Sequence, residues 1–405
     1  MKKISALSLT GIEKLNLAIQ KNRRRKHRRQ AAHYTPLLLF PIPPKKAMVA
    51  SVIIPVKNES DNIKKTLDAL RHQLDEDGNP LPLDHYEILL LANNCSDNTY
   101  TLAKAYQHQH PQFQLYIAEI QLEKGRAHIG TARRLLMDEA FRRHELNGHD
   151  GIILSTDGDT EVDAYWIAHT LREMNNGCDA VGGRILAKEV AADGKLYYLQ
   201  DTAYRYLSAQ LEASIDANDN NYKSCHFQCF GASMAVRCSV YHKAGRLPVI
   251  PFLEDEAFSR ALYRVDARIK KSSAVKVFTS SRIRGRVKAG LSVHLKNLGK
   301  MEKSMVTVRV ESLQTLKERW QAKWALRECW QLRKQRKSFT ACISNIAAVI
   351  CISPKWLLAE MDISTYFGEF WEKTEFKMYT GKWKKKQKAI PIAEAISELR
   401  KYFRN

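Results

Sequence analysis

The residues with the clearest chemical potential are two aspartates, Asp157 and Asp159, separated by a single glycine. They follow the apolar run 152–154, which is typical of a buried strand. Two carboxylates so close together at a strand end can face one hard cation, and Mg²⁺ or Mn²⁺ prefers such oxygen ligands. The same three residues also form an ordinary turn, so the motif by itself leaves both interpretations open.

Polar residues also follow two earlier strand-like runs. The run 49–56 is β-branched and almost entirely apolar, and Asn58 and Glu59 come directly after it. The run 87–92 is followed by a polar turn that begins with Asn93. Each of these polar groups therefore stands at the carboxyl end of a predicted strand.

Strand-like and helix-like segments alternate through this part of the chain. The predicted strands are 49–56, 87–92, 114–120 and 151–155, and the predicted helices are 58–70 and 128–144, with another after the second strand. This alternation predicts an α/β fold with a mostly parallel sheet flanked by helices. Ligands of such sheets bind beyond the carboxyl ends of the strands, where the polar groups lie.

Several short motifs occur in the order in which glycosyltransferase family 2 carries them, and residues 48–300 resemble that family. The motifs are 51–59 (SVIIPVKNE), 91–99 (LANNCSDNT), Gly125-Arg126-Ala127 with Ala132-Arg133, Asp157-Gly158-Asp159, Phe230-Gly231-Ala232-Ser233 and Leu253-Glu254-Asp255. The resemblance implies the GT-A fold, a Rossmann-like nucleotide-sugar domain. It also implies transfer of a sugar from a nucleotide-diphosphate sugar to a hydroxyl acceptor, with inversion at the anomeric carbon.

The resemblance implies a role for each matching residue. Asp157 and Asp159 would hold Mg²⁺ or Mn²⁺ at the diphosphate, and Asp255 would act as the base, with Glu254 as its competitor. Nucleotide-sugar contacts are expected from Pro55, Val56, Asn58, Glu59, Asn93, Asn94, Asp97, Gly125, Arg126, Arg133, Asp157 and Gly158. The acceptor side is expected at Gly231, Ala232 and Ser233.

Two positions depart from the family pattern. Asn93-Asn94 stands where members often carry two aspartates, which changes how the base and ribose would be held. Arg126 stands where lysine is common, so the charge is kept and the geometry is altered. Neither departure affects the expected metal ligands or the base.

A basic segment further along admits two interpretations. Arg282, Arg284 and Arg286 alternate, so an extended chain would present them on one side as a clamp for the diphosphate. His294 would then be a further metal ligand or phosphate contact. The alternative is a solvated basic strand with an unrelated histidine.

Other residues also have a structural alternative. Asp97 and Glu59 are predicted either to contact the nucleotide or to cap the helices that follow them. The spacing Cys225-His226-x-x-Cys229 suggests zinc only superficially, because no second paired half accompanies it and free cysteines are commonly buried. Tyr204, Tyr206, Tyr222 and Phe227 could stack on an acceptor sugar or simply pack.

Charge divides the chain of 405 residues, whose net charge is +22, into three parts. Residues 1–47 hold 12 Lys and Arg against one acid, residues 48–281 hold 26 against 31, and residues 282–405 hold 27 against 11. We predict a basic arm and linker at 1–47, the α/β domain at 48–300 and a mainly helical basic region at 301–405. The basic runs 21–29 and 382–388 admit three interpretations: a solvated tail, a nucleic-acid patch or docking to anionic lipid. Because Trp383 lies in the second run and Trp371, Phe376 and Tyr379 lie near it, we favour docking to an anionic membrane surface.

Composition and the absence of other motifs limit the cellular location and the functions that the sequence allows. Eight cysteines without scaffold density, no signal peptide pattern and no apolar run long enough to span a membrane predict a cytoplasmic protein. The basic flanks then favour a peripheral position at the inner membrane face. Neither a phosphate-binding loop nor a dinucleotide fingerprint is present. A nucleotidyltransferase would need a Gly-rich loop after the first strand, which is missing; a sugar-nucleotide-binding protein without catalysis is the remaining alternative.

Overall fold

The computed structural model describes residues 38–188, 194–217, 226–280, 291–335, 338 and 340–404. The strands are β1 (Ala50–Val56), β2 (Tyr86–Asn93), β3 (Leu115–Ile120), β4 (Ile152–Ser155), β5 (Thr160–Val162), β6 (Ala180–Ala187), β7 (Met234–Arg237), β8 (Ile269–Thr279), β9 (Arg309–Glu311) and β10 (Ala389–Pro391). The helices are α1 (Ile63–Arg71), α2 (Thr99–Gln109), α3 (Ile129–Leu146), α4 (Trp166–Asn175), α5 (Lys195–Ile215), α6 (Cys238–Lys243), α7 (Glu254–Arg264), α8 (Leu291–Lys303), α9 (Leu313–Lys334), α10 (Thr340–Ile350), α11 (Pro354–Ile363), α12 (Phe367–Thr380), α13 (Lys382–Lys386) and α14 (Ile392–Tyr402).

These elements divide into two compact units. The first draws its described residues from Pro36–Lys195 and Asn218–Gly299, and the second from Leu196–Ala217 and Lys300–Asn405. Helix α5 therefore groups with the C-terminal helices, although its residues fall within the predicted 48–300 segment. The predicted boundaries themselves stay a prediction, and most of the basic arm at 1–47 lies outside the described residues.

The first unit is built on an eight-stranded sheet in the order β3-β2-β1-β4-β7-β6-β8-β5. Strand β1 pairs in parallel with both β2 and β4, and β2 pairs in parallel with β3. Beyond β4 the sheet is mixed, because β7 runs antiparallel to β4 and to β6 while β6 and β8 are parallel. The prediction of a mostly parallel sheet flanked by helices is confirmed.

Both faces of this sheet are buried, which explains the nearly continuous apolar sequence of its central strands. Val52 and Ile54 pack into a core on one face, and Ile53 packs into a second core on the other. Helices α1 and α2 pack on the first core, and α3 and α7 pack on the second. The predicted strands agree with β1 to β4 to within a residue or two at each end, because fully buried strands are apolar almost throughout.

The second unit has a helical core that is rich in aromatic side chains. Trp320, Trp330 and Trp383 are buried in it, and Trp330 stacks on Phe370 with ring centroids 6.0 Å apart. Helix α5 is held to α9 by the buried carboxylate of Asp216, which bonds to Arg327 at 2.8 Å and to Lys323 at 3.3 Å. The mainly helical character predicted for the C-terminal region is confirmed.

Within the described residues, none of the helices has both the length and the apolar composition that crossing a membrane requires. Helices α10 and α11 reach that composition only as a pair, and the chain bends by 114° between them.

Candidate functional site

The polar turns that follow β1, β2 and β4 lie at one edge of the sheet, because these three strands are parallel neighbours. The turn after β1 contains Asn58 and Glu59, β2 ends at Asn93, and β4 is followed by the turn Asp157 to Asp159. The parallel pairing of these strands therefore places the polar groups at one edge, as the sequence predicts.

The turn after β4 is held tightly against β1. A β-carbon at Gly158 would lie 2.6 Å from Cγ1 of Val56 and 3.1 Å from Cγ of Glu59, so only glycine fits there without a shift. The Gly158 carbonyl accepts a hydrogen bond from Oγ1 of Thr66 at 3.0 Å. Packing of Val56 and Glu59 thereby fixes the position of the two aspartates that flank Gly158.

The aspartates of this turn remain partly open to solvent. The side chain of Asp157 is 35% exposed, and its Oδ1 accepts a hydrogen bond from Nη2 of Arg133 at 2.9 Å. Asp159 is partly buried, and its backbone carbonyl accepts the N–H of Ser280 at 3.2 Å. Both aspartates therefore stand directly after the end of β4.

Arg133 on α3 is the centre of the site. Its side chain is only 4% exposed, and its Nε donates to Oε1 of Glu254 at 3.1 Å. Its Nη1 donates to the carbonyl of Gly231 at 2.9 Å and to Oγ of Ser155. Burial by itself lowers the pKa of Arg133, but the nearby carboxylates, Asp157 foremost, raise it above its usual range.

Glu254 and Asp255 form the start of α7. Leu253, which precedes them, has a left-handed φ of 57°, and this turns the chain sharply into the helix. Asp255 is partly buried, and its two carboxylate oxygens accept the N–H groups of Gly231 and Glu256, each at 2.8 Å. Its carboxylate also lies at a helix N-terminus, where negative charge is favoured.

The two acids differ in their surroundings. Burial raises the pKa of Glu254 to about 7; Arg133 opposes this rise, and the Asp255 carboxylate adds to it. Glu254 is buried against Arg133, whereas Asp255 is reached more readily from solvent. The pair therefore contains one acid whose pKa lies near neutrality and one that is partly exposed.

The asparagines at this edge are engaged in local structure. Asn58 and Asn94 both have positive φ values, 53° and 51°. Asn58 exchanges hydrogen bonds with Ser96, and the Asn94 side chain bonds both the N–H and the carbonyl of Leu122. Asn93, in contrast, is buried, and its Oδ1 has no hydrogen-bond partner among the described residues.

Asp97 and Glu59 are not the N-cap residues of the helices that follow them, which are Asn98 and Asn62, but both make other local contacts. Asp97 accepts the N–H groups of Thr99 at 3.0 Å and of Ser60 at 3.1 Å. Burial favours its neutral form, but these hydrogen bonds hold the pKa of Asp97 below its usual range. Glu59 is buried at the start of α1, where its Oε2 accepts from the Asn62 amide at 3.0 Å. Both residues join the chain segments that follow β1 and β2.

Among the described residues, the hydrogen-bond partners of Arg133 do not include Gly125, Arg126 or His294. Gly125 and Arg126 lie exposed in the turn before α3. Arg284 and Arg286 lie outside the described residues. His294 is on α8, and within the described ranges no three His, Cys, Asp or Glu side chains come together as metal ligands, so His294 does not join Asp157 and Asp159 here.

On the predicted acceptor side, the side chains are mostly turned inward. Ser233 is buried, and its Oγ accepts the indole N–H of Trp166 at 3.0 Å. Ala232 is also buried, while Gly231 offers its backbone to Arg133 and Asp255. Any contact of this segment with an acceptor would therefore be made by its backbone.

The candidate zinc motif has a structural explanation for its described residues. His226 is buried, and it bonds the Ser272 carbonyl through Nε2 at 3.2 Å and the Gln228 N–H through Nδ1 at 3.1 Å. Burial lowers the pKa of His226 to about 4. Cys229 is buried as a free thiol, and Cys225 lies outside the described residues.

Ser155 was missed by the sequence reasoning. Its Oγ accepts from Arg133 and donates to the Gly231 carbonyl at 2.7 Å. Thr156, next to it, is buried with an Oγ1 that has no partner within the described ranges. The available signal was a pair of hydroxyl residues directly after a run of apolar residues in a buried strand.

Comparison with known proteins finds a family match over part of the chain. The family described as Glycosyl transferase family 2 matches residues 51–242. The chain is also 28% identical over 137 residues to glycosyltransferase AglE of Haloferax volcanii, which covers 33% of this chain and 38% of that relative. The aligned region thus spans well under half of the relative's length.

The solved structures that are similar to the chain at low identity include the following two. One is the mannosyltransferase PcManGT from Pyrobaculum calidifontis in complex with GDP-Man and Mn²⁺, with a TM-score of 0.42 and 14% identity over 97% of this chain and 94% of that one. The other is TarS 1–349 of S. aureus in complex with UDP, with a TM-score of 0.42 and 12% identity over 88% of this chain and 92% of that one.

Proposed function

We propose that this protein transfers a sugar from a nucleotide-diphosphate sugar to a hydroxyl acceptor, because its residues 51–242 match Glycosyl transferase family 2. The observation that carries the proposal is the Arg133 cluster at the carboxyl edge of the sheet. It brings Asp157, from the matched segment, together with Glu254, which lies beyond residue 242. A carboxylate that can hold a cation and a general base both serve the transfer of a sugar from a diphosphate to a hydroxyl.

A divalent cation, Mg²⁺ or Mn²⁺, fits the residues at the end of β4. Asp157 keeps its carboxylate partly exposed although Oδ1 bonds Arg133, and Asp159 supplies a second carboxylate. Cations that bind nucleotide phosphates take one or two protein carboxylates and complete their shell with phosphate oxygens and water. When bound, such a cation stabilises negative charge on the departing diphosphate.

For the base that takes the acceptor proton, we favour Asp255. The acceptor hydroxyl has to reach the carboxylate, and Asp255 is partly exposed while Glu254 is buried against Arg133. Backbone N–H groups of Gly231 and Glu256 hold the Asp255 carboxylate in a fixed orientation. The acceptor oxygen attacks the anomeric carbon opposite the departing diphosphate while Asp255 takes its proton, so the reaction inverts the anomeric carbon, as the resemblance implies.

Glu254 is a second candidate for the base, and its pKa is the observation that favours it. A general base works best when its pKa lies near the working pH, and burial raises that of Glu254 to about 7. The two candidates are separated by Asp255→Asn and Glu254→Gln. If Asp255 is the base, Asp255→Asn loses at least about 100-fold in kcat and keeps its donor affinity.

The donor role is tested by calorimetry with UDP- and GDP-sugars, with and without Mn²⁺. Wild type should bind one class of nucleotide more tightly with Mn²⁺, and the double variant Asp157→Ala with Asp159→Ala should lose that dependence. Nucleotide binding that ignores both Mn²⁺ and the substitutions would refute the proposed cation site. If the protein binds a donor but releases no nucleotide in the presence of any acceptor tested, it is instead a sugar-nucleotide-binding protein without catalysis.

For the remaining partner, we propose an anionic membrane surface next to the second unit. Lys385, Lys386 and Lys388 are exposed. Trp383 and Trp371 are buried in the helical core, whereas Phe376 and Tyr379 are only partly buried. Membrane attachment would then be electrostatic. A cytoplasmic location at the inner membrane face stays part of this proposal, and the free thiols among the described cysteines are consistent with it.

Vesicle flotation tests this attachment. Binding to vesicles that contain phosphatidylglycerol should fall with added salt, with removal of residues 1–47, and with the triple change of Lys385, Lys386 and Lys388 to glutamine. The corresponding triple change to arginine is the charge-preserving control. Equal binding to neutral and anionic vesicles would rule the attachment out.

A further inference from the structure

We propose that Arg133 is a positioning residue that holds the donor-side carboxylate Asp157 and the acid pair Glu254–Asp255 at a fixed distance from each other. The resemblance places Arg133 among the nucleotide contacts, whereas the geometry assigns its guanidinium to the protein itself. This inference rests on the proposed function, since it concerns the groups that would carry out the transfer.

The hydrogen bonds of Arg133 leave little for a ligand. Arginine has five N–H donors. Arg133 donates to Glu254 through Nε, to Ser155 and Gly231 through Nη1, and to Asp157 through Nη2. With a side chain only 4% exposed, the guanidinium faces protein groups on each of its three nitrogens.

The backbone around the guanidinium is shaped to it. A β-carbon at Gly231 would lie 2.5 Å from Cζ of Arg133, so the segment that carries Gly231 can approach only because it lacks a side chain. The Gly231 carbonyl accepts from both Arg133 and Ser155, and the Gly231 N–H donates to Asp255. Gly231 thus extends the connection from Arg133 to Asp255.

Charge explains why an arginine is needed at this point. Three carboxylates, those of Asp157, Glu254 and Asp255, act on the one buried guanidinium. A planar guanidinium can bridge groups on opposite sides, whereas a lysine ammonium is a point charge that cannot span them. Removing the cation would leave Glu254 buried without its counter-charge, which is costly.

The test compares Arg133→Met and Arg133→Lys with Arg134→Met. Arg134 is the neighbour on α3 and pairs with Asp138 at 2.6 Å outside this cluster. We expect both Arg133 variants to lose about 100-fold or more in kcat, because small misplacements of reacting groups have effects of that size. Their Kd for nucleotide, measured by calorimetry, should stay within about threefold of wild type, and Arg134→Met should keep its kcat.

Two outcomes would overturn the assignment. If Kd for nucleotide weakens as much as kcat falls, Arg133 is a nucleotide contact. If Arg133→Lys keeps full turnover, bridging is not required. Should Arg133→Met fail to fold, Ser155→Ala offers the same test more mildly, since it removes one bond to Arg133 and one to Gly231: kcat should fall about 3- to 10-fold at unchanged Kd, and an unchanged kcat counts against the proposal.

A stability cycle tests the linkage without any assay of function. Arg133→Met should lower Tm, and adding Glu254→Gln should recover part of that loss, because the uncompensated buried acid is then gone. If the wild-type protein neither binds nucleotide nor releases it from a nucleotide-sugar, the proposed function fails. The stability cycle still measures whether Arg133 holds Glu254. No recovery in the double variant would show that Arg133 does not hold Glu254.

Discussion

Gly231 lies directly against the guanidinium of Arg133, and its missing side chain allows the two to meet. A β-carbon at Gly231 would lie 2.5 Å from Cζ of Arg133 and 2.6 Å from each terminal nitrogen. These distances are far below van der Waals contact, which begins at about 3.5 Å. The two residues are 98 positions apart in sequence, so the segment that carries Gly231 and α3 depend on each other.

Gly231→Ala should therefore lower kcat by about 10- to 100-fold, because the new methyl group displaces the guanidinium from Asp157 and Glu254. Nucleotide-release kinetics measure this effect, and thermal unfolding measures the accompanying loss of stability. Gly125→Ala serves as the stability control, since nothing lies within 4 Å of a β-carbon there. Full activity in Gly231→Ala would show that the close approach has no role.

Glu254 should make stability fall with rising pH. Burial raises its pKa to about 7, above the unfolded value of about 4.5, so the folded state holds the proton more tightly. This contribution is complete below about pH 4.5 and is lost as the pH rises through about 7. In thermal unfolding from about pH 5 to about pH 8, the Tm of Glu254→Gln should rise relative to the Tm of wild type as the pH rises. A constant difference in Tm across that range would contradict the raised pKa.

His144 should act in the opposite direction at acid pH. Burial lowers its pKa to about 4, and its Nε2 lies 3.1 Å from Oγ of Ser51 while its Nδ1 lies 3.4 Å from Nε2 of His149. The unfolded chain binds the proton more readily, so stability present above about pH 6.5 is lost as the pH falls toward about 4.

We expect the Tm of wild type to fall more steeply over that interval than the Tm of His144→Gln. The matched control is His72→Gln, since His72 is exposed. Equal slopes for wild type and His144→Gln would argue against a buried neutral imidazole.

Trp383 should behave as a core residue of the second unit. It is 1% exposed, whereas Trp324 in the same unit is 47% exposed. We expect Trp383→Ala to lower the free energy of unfolding by about 3–5 kcal/mol and Trp324→Ala by less than about 1 kcal/mol. Chemical denaturation measures both. If Trp383→Ala instead weakened vesicle binding at unchanged stability, its burial would be in error.

Much of the fold was predictable from local pattern. Strands β1 to β4 are apolar almost throughout because both faces of the sheet are covered, and α3 begins and ends near the predicted positions. Parallel neighbours put their carboxyl ends at one edge, so the placement of Asn58, Asn93 and Asp157 followed from element order alone. The grouping of α5 with the C-terminal helices could not be predicted in this way, because hydrophobic periodicity does not determine which core a helix packs against.

The sequence by itself determined which residue types stand at the strand ends and in what order, since hydrophobic period and turn chemistry are local properties. Only the tertiary structure decided what those residues face. Arg133 and Glu254 are 121 positions apart, and their contact exists because α3 and α7 pack on the same side of the sheet. For the same reason no local signal distinguished the buried Trp383 from an exposed one: burial depends on contacts between distant segments, which only the packed chain supplies.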